Sequence, residues 1–368
     1  MLKLLIIDDI VPRSSIGYGY PRALTLYNSL SALGFSLTFI PLESVTPVEN
    51  NQKKEINNNI KIVNFKSKNE VFGYIKKNLQ KFNAVFISRP KNFRFLIDYL
   101  LTFPNRPTII YDAEALSSLR QITRLKLTNH HNNAAYQEMI DEELNLIAKA
   151  DFVSCVSHYE MELLKGRLSK NYFFFSHYHD AIITTKPFKE RKNLLFVGGF
   201  YAFPCPNLDA LRFFIDEIFP KINASLYVKL IIVGYNAEQL HHHIPGIISP
   251  NIIIINDAVS LFEYYNDARV TVIPTRIGAG ISYKFTETLS YGTPSVTTGL
   301  IAKQVVSKNK YIGYDDPDQF ADRVIALYNN EEIWQESREL SMEIIRTNYT
   351  KQNLENEIMR LNNLLTLK

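Results

Sequence analysis

Residues 273–298, IPTRIGAGISYKFTETLSYGTPSVTT, bring together a glycine-rich loop, two cations and one carboxylate, a combination suited to holding a diphosphate and a ribose. Residues 270–273 read as the end of a buried parallel strand, which Pro274 stops by removing a backbone donor. Gly278 and Gly280 let the main chain come close to a ligand where a Cβ would obstruct it. The spacing of Ile281, Phe285 and Leu289 is helical, so the first N–H groups of a helix starting at Ile281 point back into the glycine loop and form an anion site. Lys284 adds a positive charge, and Arg276 a fork that matches phosphate oxygens. Glu287 falls about two turns into that helix on its loop-facing side, where a carboxylate can accept both hydroxyls of a ribose. Gly292 and Pro294 stop the helix, and residues 295–298 return as a strand. An ordinary strand, loop and helix with a solvated Lys and Glu would show the same spacing.

The elements that would position this loop run through the whole chain. Residues 2–8 read as a strand, Gly17 and Gly19 as a glycine loop, 22–33 as a helix and 35–40 as the next strand. That is the opening of a doubly wound domain, with its loop at the carboxyl ends of the strands. The missing third glycine makes it a poor dinucleotide fingerprint, and a plain turn fits as well. A polar, Asn- and Lys-rich stretch at 45–59 reads as a surface loop. Strands are expected at 61–65, 84–88, 108–111 and 152–156, each followed by a helical pattern, which predicts a parallel sheet covered on both faces. Arg89, Asp112, Glu114, Ser157 and His158 follow strand ends and so share one rim. Asp112 and Glu114 can hold an acceptor hydroxyl or take its proton, although a carboxylate just after a strand also serves as a helix cap.

The polar segment 184–192 reads as an interdomain linker. A second series follows, with strands at 193–197, 227–233, 252–255 and 270–273 and a flexible turn at Gly198 and Gly199. A helix is expected from Asn207 to Phe219, stopped by Pro220. Residues 256–259, ending at Val259, follow a strand on the same rim and are placed to meet a base. His241, His242 and His243 point to different faces of a helix end and read as solvated surface. Helices at 318–328, 331–348 and 351–365 close the chain.

Composition narrows the class. With 368 residues, 46% hydrophobic and 21% charged, the chain is long enough for two cores. Cys155 and Cys205 are too few for a disulfide framework, which points to a reducing compartment. The N-terminal apolar run is too short for a signal peptide or a spanning helix, so a cytoplasmic protein is expected. Residues 1–186 hold 23 Lys and Arg against 17 Asp and Glu, and the remainder 18 against 20. The basic half suits a peripheral contact with the inner face of a membrane or a phosphate-bearing acceptor, and equally a plain solvated surface. No zinc spacing or nucleic-acid motif accompanies it, which argues against nucleic acid.

The residues also carry a resemblance. RIGAGISYKFTETLSYGTPSVTT resembles the donor-site signature of the family 4 glycosyltransferases, and LLFVGGFYAFPCPNLDALRFFIDEIFPKI is similar to the opening of their donor domain. YDAEALSSLRQ and VSHYE resemble acceptor-domain segments of a subset of them. The resemblance implies an α/β chain of two Rossmann-like doubly wound domains facing across a cleft, the GT-B fold. Residues 1–184 would form the acceptor-side domain, with 350–368 packing back on it, and 185–349 the nucleotide-sugar-binding domain. It also implies a hexosyltransferase that uses a nucleoside-diphosphate sugar and a glycan, lipid-linked or protein acceptor, without metal or other cofactor, retaining anomeric configuration, in polysaccharide biosynthesis.

By position, Glu287 would hold the ribose. The amides near Ile281, Ser282, Tyr283 and Lys284, with Gly280 before them, would neutralise the diphosphate together with the side chains of Arg276 and Lys284. Gly198, Gly199 and Val259 would border the donor, and Gly17 and Gly19 would face it from the first domain. Asp112, Arg276 and Lys284 are the catalytic candidates, and Arg89 and Glu114 the acceptor-binding ones. One departure stands out: many relatives have a glutamate eight positions before Glu287, where this chain has Ala279. No first-domain match to the catalytic histidine of many relatives is found either. A silent sugar-nucleotide-binding partner of another transferase is therefore the alternative, and an epimerase of the same fold would need acid and base groups that are not identifiable here.

Overall fold

The computed structural model describes residues 1–14, 17, 19–43, 55–128, 132–305 and 311–367. Residues 45–54 of the expected surface loop lie outside the described residues. The chain forms two compact units, one of Met1–Leu119, Asn132–His177 and Lys351–Lys368, the other of Arg120–His131 and Tyr178–Thr350. Among the described residues no helix is long and apolar enough to cross a membrane.

The first unit is built on a seven-stranded sheet, β1 (Lys3–Asp8), β2 (Ser36–Pro41), β3 (Lys61–Ile62), β4 (Ala84–Ser88), β5 (Thr108–Asp112), β6 (Phe152–Cys155) and β7 (Asn171–Phe174), in the order β3-β2-β1-β4-β5-β6-β7. Every pairing is parallel. Helices cover both faces, so the central strands are apolar without alternation, and Leu4, Leu5, Ile6 and Ile7 are all fully buried. The strand expected at 61–65 pairs only over Lys61–Ile62. The edge strand β7 escaped the sequence reading because its four residues, NYFF, are too few to show a period. It is closed by the helix Lys351–Thr366, whose Glu357 accepts from the Phe174 amide at 3.0 Å and whose Arg360 donates to the Tyr172 carbonyl.

The second unit carries β8 (Asn193–Val197), β9 (Leu230–Gly234), β10 (Ile252–Asn256), β11 (Ala268–Ile273) and β12 (Ser295–Thr297), all parallel, in the order β10-β9-β8-β11-β12. The strand order reverses at β8, with β9 on one side and β11 on the other, and open sheets of this kind bind ligands at such a point, at the carboxyl ends of their strands. Pro220 does not end a helix, as its sequence position suggested. The helix Pro206–Phe213 widens into a π turn at Phe214–Ile218 and resumes at Phe219–Ser225, with Pro220 in its first turn. The proline lacks an N–H at a first-turn position, where the helix has no acceptor to offer one. Asp316 and Asn330 cap the helices Pro317–Asn329 and Glu331–Asn348, accepting amide hydrogens from their first turns.

Candidate donor-side and acceptor-side sites

In the second unit the loop after β11 leads to a helix of eight residues, Tyr283–Ser290. A helix this short is marginal by itself, and burial of Phe285 and Leu289, both at 0% exposure, fixes it in place. It begins two residues later than the apolar spacing suggests. Ser282 is extended and acts as the N-cap residue, its carbonyl accepting from the amides of Phe285 at 3.0 Å and Thr286 at 3.2 Å. The Ser282 amide itself donates to Oε1 of Gln304 at 2.9 Å, so it is already engaged. Ile281 is buried before the helix, and Gly280 takes a φ of 73°, a conformation open to glycine. Glu287 is accordingly the fifth helical residue, a little over one turn in.

Lys284 occupies the first turn. Its Nζ donates to Oδ1 of Asn207 and lies 5.1 Å from the centroid of the Phe196 ring. Burial pulls its pKa down to about 8. The amide of Asn207 donates in turn to the Gly199 carbonyl at 2.7 Å. A Cβ on Gly198 would come within 3.1 Å of the Asn207 amide and the Phe196 ring, and one on Gly199 within 2.5 Å of the Tyr201 ring, so a side chain at either position would need those neighbours to shift.

Arg276, expected as a free phosphate fork, is instead paired. Its guanidinium holds both carboxylate oxygens of Asp209, at 2.7 and 3.2 Å, and stacks 4.2 Å from the centroid of Phe213. Asp209 stands in the first turn of the helix Pro206–Phe213, and a pairing across 67 residues leaves no local sequence signal.

Glu287 accepts from the Tyr265 hydroxyl at 3.2 Å, and burial raises its pKa to about 7. Tyr265 is itself held by stacking on Tyr291, with ring centroids 4.3 Å apart. The reading from sequence also overlooked His179. Its Nε2 shares a 2.8 Å hydrogen bond with the Thr286 hydroxyl, its ring lies 5.2 Å from that of Tyr283, and burial lowers its pKa to about 4. Val259 is fully exposed in the loop after β10.

The first unit gathers its candidates at the carboxyl ends of β1, β4 and β5, but in a different capacity. Asp112 is fully buried and cannot meet an acceptor. Both its oxygens take a bidentate fork from Arg22, at 2.6 and 2.8 Å, and the hydroxyls of Ser88 and Ser154 add further donors. Burial opposes its charge, yet Arg22 and those hydroxyls outweigh burial and hold the carboxyl below the usual range. Arg22 also donates to the Phe175 carbonyl at 2.7 Å, so the pair ties helix Tyr20–Ala32 to the sheet. Asp112 is therefore a structural carboxylate.

Arg89 is equally occupied. It pairs with Asp8 at 2.8 Å, Asp9 at 3.4 Å and Glu114 at 2.9 Å, and packs over the Tyr20 ring at 4.3 Å. Glu114 is held as well, with Oε2 on Arg89 and Oε1 buried 3.8 Å from Arg22. Its Oε1 has no hydrogen-bond partner among the described residues, and burial, opposed by Arg89 and Arg22, pushes its pKa up to about 8. Arg89 and Glu114 both sit at positive φ, 76° and 44°. Such strain costs about 1–3 kcal/mol per residue and collects at functional sites. Gly19 is required by Glu114: a Cβ there would lie 2.6 Å from Oε1, and its φ is 83°. The Gly17 carbonyl accepts from the Tyr20 amide at 3.3 Å, closing the turn before the helix.

Residues 191–330 match the family Glycosyl transferases group 1. No curated protein matches the sequence. Solved structures with a similar fold include sucrose-phosphate synthase from Thermosynechococcus elongatus, with TM-score 0.71, 10% identity and 100% of each chain covered. HepE from Anabaena in complex with UDP-glucose gives TM-score 0.67 and 10% identity over 99% of this chain and 100% of that one. A TarM variant from S. aureus in complex with UDP gives 0.66 and 11% over 99% and 100%. At this identity the likeness establishes the fold: two Rossmann-like units of the GT-B type.

Proposed function

We propose, with residues 191–330 a group 1 glycosyltransferase domain in a chain of the GT-B fold, that the protein transfers a sugar from a nucleoside-diphosphate sugar to a glycan, lipid-linked or protein acceptor. The observation that carries this reading is Lys284, half-buried in the first turn of the helix Tyr283–Ser290 and directed by Asn207. A helix start and a lysine in a low-dielectric setting stabilise the charge that develops on a departing diphosphate, and electrostatic stabilisation of that kind supplies much of the catalysis. Glu287, with its second-unit partner Tyr265, holds the ribose. UDP is the first nucleotide to test, since HepE and TarM were solved with it.

In this scheme the charge is balanced by Lys284 and the helix amides, without a metal, and the configuration is retained. Arg276 contributes if the diphosphate draws it from Asp209. The rim around Arg89 and Glu114 receives the acceptor, with Glu114 reaching a sugar hydroxyl if the acceptor draws it from Arg89. The product belongs to surface polysaccharide or glycoconjugate synthesis, with the basic first half at the inner face of the membrane.

A second reading follows from Ala279 and from the ion pair that occupies Arg276: a donor-binding partner that does not itself transfer sugar. Incubation with a panel of nucleotide sugars decides between them. Release of nucleoside diphosphate supports the transferase, and binding without release from any donor supports the silent partner. No binding of any nucleotide sugar by folded protein overturns both.

A further inference from the structure

Tyr201 and Tyr235 form a stacked pair on the second unit, with ring centroids 4.9 Å apart and planes 20° from parallel. Both are large aromatic side chains left open to solvent, 43% and 52% exposed. We infer that this pair is the platform on which the nucleobase of the donor stacks. The inference rests on the reading of the second unit as the nucleotide site and goes beyond it by assigning the base a surface.

The strand order places the pair. Along the rim the loops follow β10, β9, β8 and β11 in turn. The phosphate elements, Lys284 and the Gly198–Gly199 turn, belong to the loops after β11 and β8. Tyr235 comes directly after β9, and Gly234 pairs in register with Asn256 at the end of β10. Neighbouring strands lie about 4.8 Å apart, so the pair, with Tyr201 on the β8 loop beside the Gly198–Gly199 turn and Tyr235 on the β9 loop, is roughly 5–10 Å along the rim from the β11 loop that leads to Lys284. That interval matches the reach of a nucleoside from its diphosphate to its base. Tyr265, whose hydroxyl donates to Glu287, packs with Leu195 of β8 and Val233 of β9, the two strands whose loops carry the pair.

The backbone beneath the pair is also tied. The Phe200 amide donates to the Tyr235 carbonyl at 2.9 Å, and the Asn236 side chain donates to the Phe200 carbonyl at 3.1 Å. Gly234 has no room for a side chain, since a Cβ would fall 1.9 Å from the Gly198 carbonyl oxygen. The β8 and β9 loops are thus locked together beneath the two rings. Two stacked rings on a tied backbone offer a flat ligand one continuous surface, and every base offers a π face to it. The platform therefore supplies affinity for a nucleobase in general, and leaves the choice among bases to hydrogen-bonding groups elsewhere.

The test is calorimetric binding of UDP, GDP and ADP, and of inorganic pyrophosphate, to the wild-type chain and to Tyr235→Ala, Tyr201→Ala and Tyr235→Phe. Tyr235→Ala is expected to weaken the nucleoside diphosphate that binds by about five- to a hundredfold and to leave pyrophosphate unchanged, with Tyr235→Phe close to wild type. Unchanged nucleotide affinity in folded Tyr235→Ala and Tyr201→Ala, or equal weakening of nucleotide and pyrophosphate, would overturn the stacking role. Failure of the wild-type chain to bind any nucleoside diphosphate would instead remove the donor-site reading on which it rests.

Discussion

Lys284 and Asn207 are joined by a side-chain hydrogen bond that sets the geometry of the donor side, because the Asn207 amide is fixed at its other end by the Gly199 carbonyl. The lysine is held at the helix start by a neutral partner, with its charge left for a ligand. Asn207→Ala would leave the half-buried ammonium short of an acceptor, and the expected loss is about 1–3 kcal/mol of stability. Chemical unfolding checks this, and a bound nucleoside diphosphate should recover part of the loss.

Two shifted groups in the second unit set the pH dependence of donor binding. Glu287 titrates near 7 because burial disfavours its charge, and Lys284 near 8 for the same reason. The best affinity for a nucleoside diphosphate is expected between these values, with the carboxylate ionised and the ammonium protonated, falling on both sides. The effect on stability has its own sign. The raised carboxyl of Glu287 favours the fold at low pH, and that contribution is lost as pH rises from about 4.5 through about 7. The lowered lysine acts against the fold until it deprotonates, so that penalty fades as pH rises from about 8 towards 10.5. Affinity measured across pH 5.5–9.5, an interval of roughly two units on either side, should trace a bell that Glu287→Gln flattens on its acid limb.

Asp112 should behave as a structural residue. Asp112→Ala leaves Arg22 buried without its partner, and a loss of about 3–5 kcal/mol is expected. Chemical denaturation measures it directly. Nucleotide affinity of whatever fraction stays folded should be unchanged, since the donor elements lie in the other unit.

At the acceptor rim, Gly19→Ala forces a methyl group against Oε1 of Glu114 at a positive φ. The substitution should destabilise the chain by upwards of about 1 kcal/mol. Pairing it with Glu114→Ala removes the clash but not the backbone strain, so a double-mutant cycle should show part of the loss recovered.

The parallel ladders were legible because apolar runs and the helices between them are local, and each strand end marks its own rim. The glycine loop, Lys284 and Glu287 could be read for the same reason, since they lie on one short stretch. What lay hidden was pairing across the fold. Arg22 meets Asp112 over 90 residues and Arg276 meets Asp209 over 67, so side chains that look available in sequence are already satisfied. Gln304 takes the Ser282 amide from 22 residues downstream, which moved the helix start. Residue type can mark a carboxylate as suited to chemistry, but only burial and partners decide whether it is free to perform any.

The most direct test of the account is isothermal calorimetry of UDP with the wild-type chain and with Lys284→Met, which keeps most of the side-chain bulk and removes the charge. The account predicts binding by the wild type and a loss of about ten- to a hundredfold in the variant, the equivalent of a charged hydrogen bond of ~1.5–3 kcal/mol. Equal affinity in the two folded proteins would contradict it, because the diphosphate would then be held somewhere other than at Lys284.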